Sequence, residues 1–220
     1  MKKIILAILT LFLVTSCGFK SVAATNELPL YGGIPRSPQE QKIDQEFVNT
    51  VIKQYGSREA AYQAGEEVAW NYFFKGDHKT AMKRFNQLWL VDPENPRVYN
   101  GYGAIAEKQG DLKSAMHWYQ IGAKKGDPKA QYNLAGFYFS GRGGIPKNID
   151  EAIKWIHKAA DQDLNWALTG MGAFNEHGIG MPQSYEEAKK WYEKADKHPG
   201  GGAFEDERGK IFKDLKRRAP

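Results

Sequence analysis

The chain has 220 residues, a net charge of +5, and acidic and basic residues that are mixed along its length. This mild, evenly spread charge argues against a nucleic-acid partner, which requires basic residues concentrated on one face or stripe. A single cysteine excludes an intramolecular disulfide, so packing alone must stabilise the fold.

The N-terminus has the pattern of a bacterial secretion signal. Met1-Lys2-Lys3 is basic, and the apolar run from Ile4 to Val14 is shorter than the roughly 20 residues of a membrane span. The run ends in Val14-Thr15-Ser16-Cys17, which resembles the lipobox of bacterial lipoproteins. This resemblance implies that residues 1–16 are a signal peptide and that Cys17 is acylated as the new N-terminus. An ordinary signal peptide that is cleaved near Ala23-Ala24 is the alternative.

Residues 17–36 are predicted to tether the folded part to a membrane. Two or more acyl chains on Cys17 give a stable anchor. Gly18 follows the cysteine, and in enterobacterial sorting an aspartate at this position retains a lipoprotein at the inner membrane. The resemblance therefore implies the outer membrane, with the protein facing the periplasm. Residues 18–36 are rich in glycine and proline without periodicity, which predicts a flexible segment.

The first predicted helix covers residues 37–56. Ser37, Pro38 and Glu40 form a capping-box pattern at its start, and Gly56 supplies a C-terminal cap. An apolar stripe of one helix face recurs at four-residue spacing: Ile43, Phe47, Val51 and Tyr55. We expect this helix to pack on the domain that follows.

Residues 57–126 contain two units that repeat at an offset of 34. Gly76-Asp77 and Phe85 recur as Gly110-Asp111 and Tyr119, and alanines are repeated between them. Small residues at matched positions are what two closely crossing helices require. The pattern resembles two tetratricopeptide repeats.

Residues 127–199 contain two longer units, at offsets of 36 or 37. Their helices are separated by longer glycine-rich loops that begin at Gly141 and Gly178. These units resemble the Sel-one-like repeat (SLR). Taken together, the repeats imply an all-α fold, a right-handed α-α superhelix (solenoid) of about four helix-turn-helix repeats with an N-terminal packing helix.

The last segment, residues 200–220, has acidic residues near its start and basic residues near its end. That polarity complements a helix dipole and predicts a polar C-terminal capping helix, with a frayed polar tail as the alternative.

No motif predicts catalysis, a cofactor or a metal. The histidines are scattered over different repeats without metal-ligand spacing. The glycine-rich loop at Gly141 lacks the lysine and serine or threonine of a phosphate loop. The sequence therefore predicts a protein that is not an enzyme and that has no small-molecule substrate.

The resemblance to tetratricopeptide-like solenoids implies that the first helix of each repeat lines a concave groove. Aligning the repeats places the following residues in that groove: Glu66, Trp70, Phe73, Arg97, Asn100, Lys108, Lys129, Tyr132, Phe139, Trp166 and Glu176. Large aromatics beside charged residues are typical of protein-binding hot spots. Trp70 and Phe73 have a second interpretation, as packing residues buried under the N-terminal helix.

These expectations favour a membrane-anchored, periplasm-facing scaffold or adaptor that binds a protein or peptide in the groove. The alternative is an immunity protein that sequesters a toxic effector acting in the periplasm, such as a secreted lipase. Some lipid-anchored proteins with Sel-one-like repeats act in that way.

Overall fold

The computed structural model describes residues 26–198, and this part of the chain contains nine α-helices and no strand. In chain order the helices are α1 (Pro38–Tyr55), α2 (Arg58–Phe74), α3 (His78–Val91), α4 (Arg97–Lys108), α5 (Leu112–Lys124), α6 (Pro128–Ser140), α7 (Ile149–Ala160), α8 (Asn165–His177) and α9 (Tyr185–Lys197). The predicted all-α fold is confirmed.

The helices pack as four successive pairs, α2 with α3, α4 with α5, α6 with α7 and α8 with α9. Each pair also packs on the next one, the first helices α4 and α6 touch each other, and α1 packs on α2. Glycines allow the helices of a pair to approach closely. A Cβ atom on Gly103 of α4 would lie 2.5 Å from the Tyr119 ring of α5. The result is the stacked solenoid that the repeats predict.

Cap residues set the helix boundaries. Gly110 has a φ of +82°, a left-handed conformation that ends α4, and the next residue, Asp111, accepts a hydrogen bond from the backbone N–H of Ser114. The capping box of α1 is present as well, because Ser37 and Glu40 each accept a hydrogen bond from the other's backbone N–H.

The prediction that residues 17–36 form a flexible tether is wrong for residues 26–36. A short 3-10 helix, Pro29–Gly33, lies on α3. The fully buried side chain of Asn86 binds this segment. Its amide nitrogen donates to the carbonyls of Asn26 and Leu28, and its oxygen accepts from the backbone N–H of Leu30. The docked segment therefore begins by Asn26.

Aromatic and ionic contacts complete this docking. Tyr31 is buried, and its ring centroid lies 6.5 Å from that of Trp89. The Arg36 guanidinium lies 4.4 Å from the Tyr31 ring centroid and makes a bidentate contact with Asp44 of α1, at 2.8 Å for each N–O pair. Leu30 and Tyr31 adopt left-handed backbone conformations, with φ of 52° and 54°, which the surrounding contacts must hold in place.

The apolar stripe predicted for α1 is correct only in part. Phe47, Val51 and Tyr55 pack against the core, but Ile43 is 57% exposed. An α-helix has 3.6 residues per turn, so each residue of a four-residue repeat is displaced around the helix axis relative to the one before it. Over three such steps the first residue of the stripe no longer lies on the buried face. Val48 takes a buried position instead.

Residues 1–25 and 199–220 lie outside the described part of the chain. The predicted signal peptide, the Cys17 lipidation site and the C-terminal helix fall in these ranges, and so does the first half of the predicted tether. Among residues 26–198, no helix combines the length and apolar character that a membrane span requires.

Candidate protein-binding surface

The structure divides the predicted groove residues into two groups. Six keep partial or full exposure: Glu66, Arg97, Lys108, Lys129, Phe139 and Trp166. Five are buried, so their prediction as accessible groove residues is wrong: Trp70, Phe73, Asn100, Tyr132 and Glu176.

Trp70 and Phe73 belong to the core of the N-terminal half. Their rings meet edge to face at 5.3 Å, and the Trp70 ring lies 5.0 Å from that of Phe85 in α3. Phe47 and Val51 of α1 pack against the same core. The second interpretation of Trp70 and Phe73, burial as packing residues, is therefore the correct one.

Asn100 and Tyr132 lie beneath the surface and support it. The Asn100 side-chain oxygen accepts a hydrogen bond from Asn133 of α6 at 2.8 Å, which joins the two first helices. The Tyr132 ring lies 5.8 Å from the ring of Trp166, between α6 and α8. Each of the two buried residues thus contacts the next first helix, an arrangement that one repeat taken alone does not reveal.

Glu176 and Phe139 occupy equivalent repeat positions, together with Glu107. The side chains of all three residues contact other residues of the solenoid. Glu107 accepts from the Tyr119 hydroxyl at 2.9 Å, Glu176 accepts from the Tyr192 hydroxyl at 2.6 Å, and Phe139 stacks on Phe174 at 5.6 Å. This position serves packing between helices and not the groove.

Arg97 lies between two carboxylates of α2. Its guanidinium is 3.0 Å from Glu59 and 3.5 Å from Glu66, and it covers the ring of Tyr62 at 4.6 Å. Partial burial lowers the pKa of Arg97, but the two carboxylates outweigh this and raise the pKa above its ordinary value. Arg97 is therefore a fixed cation that joins α2 to α4.

Asp127 is a buried carboxyl that interacts electrostatically with Arg97 and Glu66. The sequence did not predict it as a site residue. It caps α6 by accepting from the backbone N–H of Ala130 at 2.7 Å. Burial raises the pKa of Asp127 to about 6, against the lowering effects of the cap hydrogen bond and of Lys129. The Gly-Asp-Pro sequence at this repeat junction indicates that Asp127 caps a helix. The burial of the Asp127 carboxyl depends on the neighbouring helices, which the local sequence does not indicate.

We name the accessible strip across α2, α4, α6 and α8 the first-helix surface, and we define it by Glu66, Arg97, Lys129, Asn133 and Trp166. It combines a large aromatic side chain, two cations, a carboxylate and an amide, all of them half-buried. Such a strip can bind an extended chain or a helix through apolar contact and charge-assisted hydrogen bonds.

Within residues 26–198, no group of three or more His, Cys, Asp or Glu side chains is placed to hold a metal ion.

Comparison with protein families identifies the repeats. A family model described as "Sel1 repeat" matches residues 98–127, 128–164 and 167–195. The predicted Sel-one-like repeats are thereby confirmed. The unit at 98–127, which the sequence pattern likened to a tetratricopeptide repeat, is also a Sel1 repeat. The two repeat types share the same pattern of small residues, and the shorter loop of this unit favoured the tetratricopeptide interpretation.

Curated relatives match part of this chain. Chitin synthase regulatory factor 3 of Schizosaccharomyces pombe is 36% identical over 96 residues, which are 43% of this chain and 10% of that protein. The HRD3A component of an ERAD-associated E3 ubiquitin-protein ligase from Arabidopsis thaliana is 23% identical over 134 residues, 54% of this chain and 20% of that protein. The chain thus spans no more than a fifth of either relative's length.

Solved structures share the fold. A Sel1 repeat protein from Oxalobacter formigenes superposes with a TM-score of 0.53 at 31% identity, covering 61% of this chain and 54% of that one. The protein c5321, described as a protective antigen present in uropathogenic Escherichia coli strains, superposes with a TM-score of 0.51 at 25% identity. That superposition covers 70% of this chain and 33% of c5321.

Proposed function

We propose that this protein is a membrane-anchored, periplasm-facing scaffold that binds a protein or peptide partner on the first-helix surface. Sel1 repeat proteins act as scaffolds for protein–protein interaction, and the two curated relatives are named as a regulator and as a ligase component. The sequence carries no motif that predicts catalysis, and binding is therefore the activity we propose.

The observation that carries this proposal is the position of Trp166. This residue is half-buried at the start of α8, and its ring is supported from below by the buried ring of Tyr132. Lys129 and Asn133 lie on the adjacent helix α6. An aromatic side chain that is held rigidly beside polar groups is the usual centre of a binding hot spot.

The anchor that we propose is an acyl group on Cys17. Since the docked segment begins no later than Asn26, at most residues 18–25 separate this cysteine from the folded body. Eight extended residues reach at most about 28 Å. An acylated Cys17 would therefore hold the repeats close to the bilayer, much closer than a tether extending to residue 36.

Capture of the partner from intact cells by crosslinking tests the binding proposal. The variant Lys129→Glu/Trp166→Ala should reduce capture at least tenfold, because it removes the hot spot and reverses one charge. A matched control, Lys189→Glu/Tyr185→Ala, changes the same residue classes on α9, where Tyr185 is 57% exposed. Equal capture by both variants would refute the assignment of this surface. The identity of the captured partner then separates an adaptor from an immunity protein.

The anchor has its own test. The mass of the N-terminal peptide from the purified protein should correspond to an acylated Cys17, and Cys17→Ser should release the protein from the membrane fraction. An unmodified N-terminus near Ala23-Ala24 would overturn the anchor without bearing on the binding surface.

A further inference from the structure

Residues 26–36 are held on the solenoid in the way that a bound peptide is held. The amide nitrogen of Asn86, a fully buried residue, donates to the carbonyls of Asn26 and Leu28. The amide oxygen accepts from the backbone N–H of Leu30. A longer contact, at 3.3 Å, joins the amide nitrogen to the side-chain oxygen of Asn26. Because every peptide has these main-chain groups, Asn86 binds the backbone of the segment and leaves the choice of side chains to other contacts.

Two side chains of the segment, Tyr31 and Arg36, make the contacts that depend on sequence. Tyr31 is buried beside Trp89 of α3. Arg36 makes two N–O contacts of 2.8 Å with the carboxylate of Asp44 in α1, and both side chains are partly buried. A bidentate pair of this kind is stronger and more specific than an exposed ion pair. The site therefore selects an aromatic residue that is followed five positions later by an arginine.

A third side-chain contact of the segment adds little to this selection. The carboxylate of Glu27 lies 3.5 Å from the ammonium group of Lys79 and 3.1 Å from that of Lys83, both on α3. These three side chains are between 33% and 78% exposed, and ion pairs in contact with water contribute little to binding. An acidic residue at the position of Glu27 is therefore not required of a ligand.

The backbone of the segment is strained where it carries the aromatic residue. Leu30, Tyr31, Gly32 and Gly33 have φ angles between 52° and 72°, in the left-handed region. Glycine enters this region freely, whereas leucine and tyrosine enter it only at an energetic cost. This cost opposes docking, so the segment is held less tightly than its contacts alone would hold it. A strained segment of this kind is open to displacement by a competing chain.

We propose that Asn86, Trp89 and Asp44 form a peptide-binding site, which residues 26–36 occupy in cis and from which a segment of a partner protein displaces them. The partner segment carries an aromatic residue for the place of Tyr31 and, five positions later, an arginine for the negative charge of Asp44. An acidic residue in the place of the arginine is selected against, because two carboxylates would then face each other.

This site is separate from the first-helix surface. Its residues lie on α1 and α3, and it shares none of them with the strip across α2, α4, α6 and α8. The inference therefore goes beyond the proposed function, and either can fail without the other.

Binding of a synthetic peptide to the full chain tests the proposal. The probe is a fluorescein-labelled peptide with the sequence of residues 26–36, followed by fluorescence anisotropy. The variant Tyr31→Ala should bind it at least tenfold more tightly than the unchanged protein, in which the intact cis segment competes at an effective concentration on the order of 1 mM. Tyr31→Ala/Asn86→Leu should lose the binding. The control Tyr31→Ala/Asn71→Leu, changed on the exposed face of α2, should retain it.

An exchange of charge guards against misfolding of the Asn86→Leu variant. Tyr31→Ala/Asp44→Arg should bind the natural peptide at least tenfold more weakly and should instead bind a peptide that carries Arg36→Asp. Such a reversal requires an intact fold and direct contact. Failure of Tyr31→Ala to bind the natural peptide, or equal binding of both peptides by the Asp44→Arg variant, would overturn the proposal. A dimer of the unchanged protein in light scattering, absent from Tyr31→Ala, would also overturn it, because the segment would then be exchanged between two copies of the chain.

Discussion

The backbone N–H of Leu30 donates to the side-chain oxygen of Asn86, across 56 positions of the chain, at 3.0 Å. The same oxygen accepts from the buried Tyr102 hydroxyl at 2.8 Å, so one amide joins the N-terminal segment, α3 and α4. Neither partner lies in a local pattern that points to the other. This buried polar contact of a single residue thus helps to hold the N-terminal segment on the repeats, together with the contacts of Tyr31 and Arg36.

Asn86→Leu tests this role. The substitution keeps the approximate volume but leaves the backbone groups of residues 26–30 without their partner, so we expect a loss of about 1–3 kcal/mol in the free energy of unfolding. Amide hydrogen exchange at Leu30 should accelerate at least tenfold, while the amides of α6 and α7 keep their protection. Asn71→Leu, on the exposed face of α2, is the control and should change neither quantity. Unchanged exchange at Leu30 would show that the aromatic contacts of Tyr31 suffice.

The buried Asp127 carboxyl should make the free energy of unfolding fall as the pH rises, which is opposite to the effect of most carboxyl groups in folded proteins. Because burial raises its pKa to about 6, above the roughly 3.9 of an unfolded chain, the folded state binds the extra proton between these values. Its contribution to stability is therefore greatest below about pH 4 and declines as the pH rises through 6. At neutral pH the buried charge weakens the fold.

Asp127→Asn should remove this decline and raise the free energy of unfolding at pH 7 by about 1–2 kcal/mol, since asparagine still caps the helix. Thermal melts from pH 4 to pH 8 measure the effect. The equivalent cap Asp111 is exposed, and its hydrogen bonds with Ser114 lower its pKa. Asp111→Asn should therefore lose stability at pH 7, the opposite result. A loss of stability at pH 7 in both variants would contradict the raised pKa of Asp127.

The helical pairs could be predicted from sequence because their determinants are local and repeat along the chain. Asp77 and Asp111 indicate helix starts without reference to tertiary structure, and they cap as expected. Small residues such as Gly103 and Ala115 indicate where helices cross, because only short side chains allow that approach. Cap residues and small residues recur in each repeat unit, and this recurrence is what predicts the solenoid.

The accessibility of the groove residues could not be predicted in the same way. Asn100 and Tyr132 occupy positions that a single helix would expose, but both are buried in the solenoid, where they contact Asn133 and Trp166 of the next first helix. The docking of residues 26–36 also escaped prediction, because it depends on contacts with Asn86 and Trp89 that lie more than fifty residues away. Burial that arises between repeats depends on crossing distance and loop path, which a repeat alignment does not contain.

The contact of Gly103 with Tyr119 predicts that a substitution at one of these positions changes the effect of a substitution at the other. A Cβ at Gly103 would lie 2.5 Å from the tyrosine ring, closer than packing allows. Gly103→Ala should therefore cost about 2–3 kcal/mol despite the better helix propensity of alanine. In the third repeat the same two positions are Ala135 and Ile156, both buried in one core cluster. That natural pairing identifies one second change that should restore the fit.

Gly103→Ala/Tyr119→Ile transfers the pair of the third repeat into the second. Isoleucine lacks the ring that meets the new Cβ, so chemical denaturation should show the double variant to be at least about 1 kcal/mol more stable than the sum of the single changes predicts. Gly65→Ala is the control: its Cβ would lie 2.8 Å from a terminal methyl group of Leu88, which can rotate away more easily than a ring, so it should cost less than Gly103→Ala. Simple additivity of the two changes would mean that α4 moves away from α5 to accept the alanine, and the glycine would then serve helix crossing in general and not this tyrosine.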